Sequence, residues 1–146
     1  VRLGAAHAIN YRAEDFVEAV KRITEGRSVD VILDIVGGDY IARDVECLAP
    51  DGRIACVSTQ RGNQVDLDLR RLFAKRGTIM ASTLRSRSTQ EKAAIARDLE
   101  QHIWPLLPAR DRIVPVIDSV YPFERAADAH VRMESSAHIG KIVLVP

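Results

Sequence analysis

The chain has 146 residues, 47% of them apolar and 28% charged, and its 21 basic and 20 acidic residues leave a net charge of +1. That is about one domain's length of chain, too apolar and too evenly charged for an intrinsically disordered protein. No basic tract offers a footprint for nucleic acid or an anionic membrane, and no apolar run approaches the roughly 20 residues that span a bilayer.

The first segment is Ala8-Ile9-Asn10-Tyr11, a short apolar strand. Glu14 to Glu25 then carries Phe16, Val20 and Ile23 at helical spacing, with acids in front and Lys21 and Arg22 behind. That pattern predicts an amphipathic helix matched to its dipole, ended by Gly26. Val29 to Val36 is β-branched and almost continuously apolar, as in a strand buried on both faces. It stops at Gly37-Gly38.

A second helix is predicted from Tyr40 to Leu48, followed by a turn at Pro50-Asp51-Gly52. Arg53 to Ser58 is the next strand, and a polar loop runs from Thr59 to Gln64. Leu69, Leu72 and Phe73 mark a short helix closed by Gly77. Thr78 to Thr83 is a third strand of this type. Ser88 and Glu91 have capping-box spacing and open a helix whose apolar face is Ile95, Leu99 and Ile103. Arg112 to Tyr121 reads as an irregular or edge strand around Pro115. Pro122 is placed as the first residue of a helix with Phe123, Ala127 and Val131 inward. Gly140 to Val145 is a terminal strand. Strands alternating with helices mean βαβ units, and therefore an α/β fold with a parallel sheet.

In such a sheet, ligands bind at the carboxyl ends of the strands. That rule selects Tyr11, then Val36 and Gly37, then Ser58 and Thr59, then Thr83 and Leu84. Gly37-Gly38 either admits a ligand close to the backbone or makes a plain strand-to-helix turn. Tyr11 either stacks on a base or caps the core, and Ser58 is either a ligand contact or a loop-entry residue. Arg85 and Arg87 are candidates for phosphate, against the alternative of a solvated loop. His7, His102, His130 and His138 form no metal motif with each other or with Cys47 and Cys56, so no metal site is assigned. The two cysteines are not spaced as C-x-x-C and read as buried free thiols in a reducing compartment, here the cytoplasm. The glycine-rich turn of a dinucleotide-binding fold, G-x-G-x-x-G between a strand and a helix, is not found.

Leu3 to Tyr11, Asp30 to Gly38 and the Gly52-Arg53 turn together resemble the cofactor domain of medium-chain dehydrogenases/reductases. Phe73 to Ile79, Thr83 to Arg87, Pro115 to Asp118 and His138 to Leu144 narrow the resemblance to the zinc-independent NAD(P)H:quinone oxidoreductases of that superfamily, over nearly the whole chain. The resemblance implies a partial Rossmann domain over residues 1–108, lacking its first two strands. Residues 109–146 would be a tail that returns to a GroES-like catalytic domain. It implies reduction of quinones or related α,β-unsaturated carbonyls with NADPH, by a dimeric enzyme. Tyr11 would lie beside the adenosine 2′-phosphate. Val36 and Gly37 would lie near the nicotinamide ribose, and Ser58, Thr59 and Gln60 beside the cofactor. Thr83, Leu84 and Arg85 would lie near the nicotinamide, and the segment His138 to Lys141 would return to the cofactor cleft. Catalytic residues cannot be carried over.

The alternatives are an enoyl reductase or alcohol dehydrogenase relative, and a non-catalytic Rossmann-like dimerisation module. The opening at Val1 leads to the expectation of a cut inside a longer subunit, with this piece inactive alone. With strands 1 and 2 of the order 3-2-1-4-5-6 missing, Ala8–Tyr11 would stand on the order of 14 Å from Val29–Val36, at about 4.8 Å per strand. Thr78–Thr83, at the opposite edge, is expected to pair with its copy in a homodimer.

Overall fold

The computed structural model describes residues 4–107 and 114–146, and the chain forms two compact units, Val1–Lys92 and Ala93–Pro146.

In the first unit, α1 (Phe16–Ile23) starts at Asp15, whose Oδ1 accepts from the N–H groups of Val17 at 2.8 Å and Glu18 at 3.1 Å. Strand β1 (Val29–Asp34) follows, then α2 (Tyr40–Cys47), β2 (Leu48–Cys56), α3 (Leu69–Lys75) and β3 (Thr78–Ala81). The three strands are parallel, in the order β1-β2-β3. Ile32 lies beside Ile54 and Ile54 beside Ile79 on one face; Leu33, Ala55 and Met80 line up on the other. The core forms on the isoleucine face, where Val45 of α2 and Leu48 and Ile54 of β2 are fully buried, with Ile32, Leu67 and Leu72 packed around them. Lys75 reaches from α3 to the carbonyl oxygens of Glu46, at 2.8 Å, and Leu48, closing the end of α2.

Several expectations change. Ala8–Tyr11 is not a strand: it is irregular and runs into a turn, where Asn10 accepts from the N–H groups of Ala13 at 2.8 Å and Glu14 at 3.1 Å. The segment pairs with no strand, and the turn gives the Asn10 carbonyl its donors locally. Among the described residues three strands therefore form this sheet, not four.

Nor is β1 buried on both faces: Val31 is 58% exposed and Leu33 67%, because the helices packed on the sheet of this unit cover the isoleucine face. Pro50-Asp51-Gly52 interrupts β2 rather than preceding it. Asp51 is left-handed at φ 62°, and the pairing with β1 shifts register between Val29 and Val31. The third strand stops at Ala81, two residues early.

Helix α4 (Thr89–His102) opens with the expected reciprocal cap. Glu91 Oε2 accepts from the Ser88 N–H at 2.8 Å, and Ser88 Oγ accepts from the Glu91 N–H at 3.2 Å. Its predicted inner face is open, with Leu99 46% exposed. In the second unit, β4 (Ile117–Pro122) and β5 (Lys141–Val145) pair in parallel around α5 (Ala126–Glu134). The predicted strand from Arg112 lies partly outside the described residues. Pro122 ends β4 and precedes a single 3-10 turn, Phe123–Arg125, instead of opening a helix. Ala129 is the buried residue of α5, while Phe123 and Val131 are exposed.

Candidate functional site

The parallel strands of the first unit all end on one side, at Asp34, Cys56 and Ala81. Asp34 is 4% exposed, and its carboxylate accepts from the N–H groups of Val36 at 2.7 Å and Gly37 at 2.9 Å. The carboxylate thereby folds the chain back at the end of β1. The loop after β2 lies directly against this turn: Val57 N–H donates to Asp34 O and Arg61 N–H to Val36 O, both at 2.9 Å.

Gly37 is left-handed at φ 71°, and a Cβ there would stand 2.8 Å from Thr59 Cα. The glycine is required by the chain's own backbone, which occupies the space that the sequence offered to a ligand. Beside this junction is a cleft of about 180 Å³. Gly37, Ser58, Thr59 and Asn63 line it, with Val65 and Ile79 as apolar wall. Its exposed lining is mostly apolar, with the polar residues Ser58, Thr59 and Asn63 at its wall, the pattern of a small-molecule site.

The structure thus brings Gly37, Ser58 and Thr59 together. Val36 and Tyr11 line a different groove, of about 230 Å³, along β1, where Phe16, Tyr40, Asp34 and Asp44 also lie. Gln60 is exposed in the loop after β2. Thr83, Leu84 and Arg85 are exposed after β3, where the Arg85 N–H donates to Thr83 Oγ1 at 3.3 Å and Lys92 Nζ to Arg85 O at 3.2 Å.

His138 and Lys141 belong to the second unit. There Asp118 anchors the loop before β5. Its carboxylate accepts from Arg132 Nη2 at 2.9 Å and from the Ile139 N–H at 3.1 Å, and these bonds hold it well below the usual carboxylate range. His138 Nδ1, next in the chain, is buried without a partner.

Sequence reasoning passed over Asn63, Asp34 and Asp44. Asp34 carried a signal, an acid ending an apolar strand just before Gly-Gly, which is a local cap for that turn. Burial pushes the Asp44 carboxyl up to about 6, and the nearby Asp34 charge adds to the rise. Burial also raises the Cys47 thiol to about 11 and lifts Cys56, so neither is a ready thiolate. Among the described residues, no three His, Cys, Asp or Glu side chains are grouped to hold a metal ion.

The family model for zinc-binding dehydrogenases matches residues 3–144. The chain belongs to the zinc-binding dehydrogenase family. Among curated relatives, 2-haloacrylate reductase from Burkholderia sp. is 28% identical over 145 residues, which are 99% of this chain and 43% of that protein. Quinone oxidoreductase from Rattus norvegicus is 29% identical over 143 residues, 97% of this chain and 41% of the relative. The chain therefore spans about two fifths of the length of these relatives. Among solved structures, Escherichia coli quinone oxidoreductase complexed with NADPH superposes with a TM-score of 0.75 at 31% identity, covering 98% of this chain and 44% of that one. The described residues do not fit the zinc ion of the family's description.

Proposed function

We propose that this chain is the cofactor-side part of a reductase that transfers hydride from NADPH to quinones or related α,β-unsaturated carbonyls. The observation that carries the reading is the cleft at the carboxyl ends of the parallel strands, lined by Gly37, Ser58, Thr59 and Asn63. At about 180 Å³ it takes one ring-and-sugar end of a dinucleotide, not the whole molecule. The nicotinamide end fits its chemistry: Val65 and Ile79 supply an apolar wall for a flat ring, and Ser58, Thr59 and Asn63 supply hydrogen bonds for ribose or amide. When bound, the cofactor supplies the hydride.

The chain's own residues bind and orient. The Asp34 turn fixes Gly37, and the Val36–Arg61 hydrogen bond fixes the loop that carries Thr59. Relatives named for reducing a 2-haloacrylate and a quinone support the wider substrate class over quinones alone. In this reading residues 1–108 are cofactor domain and 109–146 the tail of a catalytic domain, in an NADP-preferring, cytoplasmic, dimeric enzyme.

The test is titration of NADPH, and of NADH, into the 146-residue chain, followed by amide NMR. Saturable shifts at Gly37, Ser58, Thr59 and Asn63, stronger with NADPH, are expected. No saturation at millimolar cofactor, or shifts confined to other residues, overturns the proposal.

A further inference from the structure

Of the eight glycines, Gly52 alone follows an aspartate. An aspartyl-glycine pair is labile, because glycine has no side chain to hinder its nitrogen from closing on the carboxyl before it. The fold dictates the glycine here. Gly52 is buried, and a Cβ on it would stand 2.6 Å from Leu48 Cδ1 and 2.9 Å from Ala49 O. Asp51 is held at φ 62°, in the left-handed region that aspartate enters more readily than most residues.

One guanidinium holds the carboxylate of this pair. Arg76, the left-handed C-cap of α3, donates from Nε to Asp51 Oδ1 at 2.7 Å and from Nη2 to Asp51 Oδ2 at 2.5 Å. Both carboxylate oxygens are engaged at once, and these bonds hold the carboxyl below its usual range. The Asp51 and Arg76 side chains are 67% and 65% exposed, so water reaches them.

We propose that Asp51-Gly52 is a modification site, where the chain converts spontaneously to isoaspartate, and that the Arg76 ion pair restrains the conversion in the folded protein. The carboxyl first takes a proton from solvent, which makes one of its oxygens a hydroxyl. The Gly52 nitrogen then bonds to Asp51 Cγ. Its proton and that hydroxyl leave together as water, and a five-membered succinimide forms. A second water opens the ring at the Asp51 main-chain carbonyl, so the chain now runs through the side-chain carbon. Arg76 opposes the first two steps, because it favours the ionised form and ties both oxygens to α3. The product has one more main-chain carbon between Leu48 and Arg53, which pair with Val29 and Val31 of β1. The insertion falls where the register already shifts, so the ladder from Val31 onward is expected to survive it. The site is independent of the activity proposed above.

In the experiment the 146-residue chain is kept near pH 6 and 37 °C for weeks. Isoaspartate at Asp51 is read by proteolysis and electron-transfer fragmentation of the peptide that carries it. Conversion is expected to be at least about tenfold faster in urea than in the folded chain. Arg76→Met is expected to speed the folded chain about threefold or more, with Arg76→Lys between. Arg70→Met, which breaks the Asp68 pair instead, is expected to change nothing at Asp51. If Arg76→Met unfolds, salt decides: about 1 M sodium chloride should speed the unaltered chain about twofold or more over low salt, because it screens an exposed pair. No isoaspartate at Asp51 in the unfolded chain overturns the site. Equal rates for the unaltered chain and folded Arg76→Met, or a rate indifferent to salt, overturn the restraint.

Discussion

Replacing Gly37 with alanine measures what it costs to seat two loops backbone against backbone at the end of the sheet. Gly37 has φ 71°, and an added Cβ would lie 2.8 Å from Thr59 Cα and 3.1 Å from Ser58 O. Two costs add. Holding an L-residue in the left-handed region takes about 1–2 kcal/mol. Forcing extra volume against packed atoms takes about 1–3 kcal/mol more. The expected loss is about 2–5 kcal/mol, within the roughly 5–15 kcal/mol that holds a domain together.

Gly26 is the control. It is left-handed at φ 80° with nothing within 4 Å of the added Cβ, so Gly26→Ala carries the first cost alone. The single tryptophan, Trp104, lies in the second unit, so urea unfolding of the first unit is followed by amide NMR rather than indole emission. Gly37→Ala is expected to exceed Gly26→Ala by at least about 1 kcal/mol and to move the Ser58 and Thr59 resonances. Equal losses in the two variants would refute the argument that the Thr59 backbone dictates glycine at this position.

Asp44 makes stability fall as pH rises. Its carboxyl is raised from 3.8 to about 6, chiefly by burial and then by the Asp34 charge, with Arg43 opposing. The native state therefore holds a proton that the unfolded chain releases between those values. The contribution is fully present below the unfolded value and lost as pH passes the folded one. Relative to Asp44→Asn, the unaltered chain should lose on the order of 2–3 kcal/mol between pH 4 and pH 7 in urea melts; parallel profiles would count against it. Arg132→Met removes the donor that holds Asp118, and amide exchange at Ile139 should quicken by about tenfold or more, with unchanged exchange as the contrary result. The outer strand β3 is expected to pair with its copy across a two-fold axis, and sedimentation showing a monomer at every concentration would exclude that pairing.

The local elements were legible in the sequence because their causes are local. Phe16, Val20 and Ile23 share a helical face, and Ser88 and Glu91 cap reciprocally whatever surrounds them. The parallel strands at Val29, Arg53 and Thr78 followed from β-branched runs separated by helices. The same reasoning placed Gly37, Ser58 and Thr59 at one end of the sheet, where they line one cleft. Tyr11 and Val36 line another groove, because side-chain direction at a strand end depends on the turn that Asp34 ties.

What the sequence determined alone was the order and type of the elements from α1 to β5, and the meeting of Gly37, Ser58 and Thr59 at one end of the sheet. Only the tertiary structure decided which apolar faces find a partner. Val31 and Leu33 have the composition of a doubly buried strand, yet they stand exposed, since burial needs a second layer that no strand encodes in itself. The same dependence undid Ala8–Tyr11, which has strand residues and pairs with no strand, and left Asp44 buried without a donor for its Oδ2. Propensity belongs to a segment; pairing and burial belong to its neighbours.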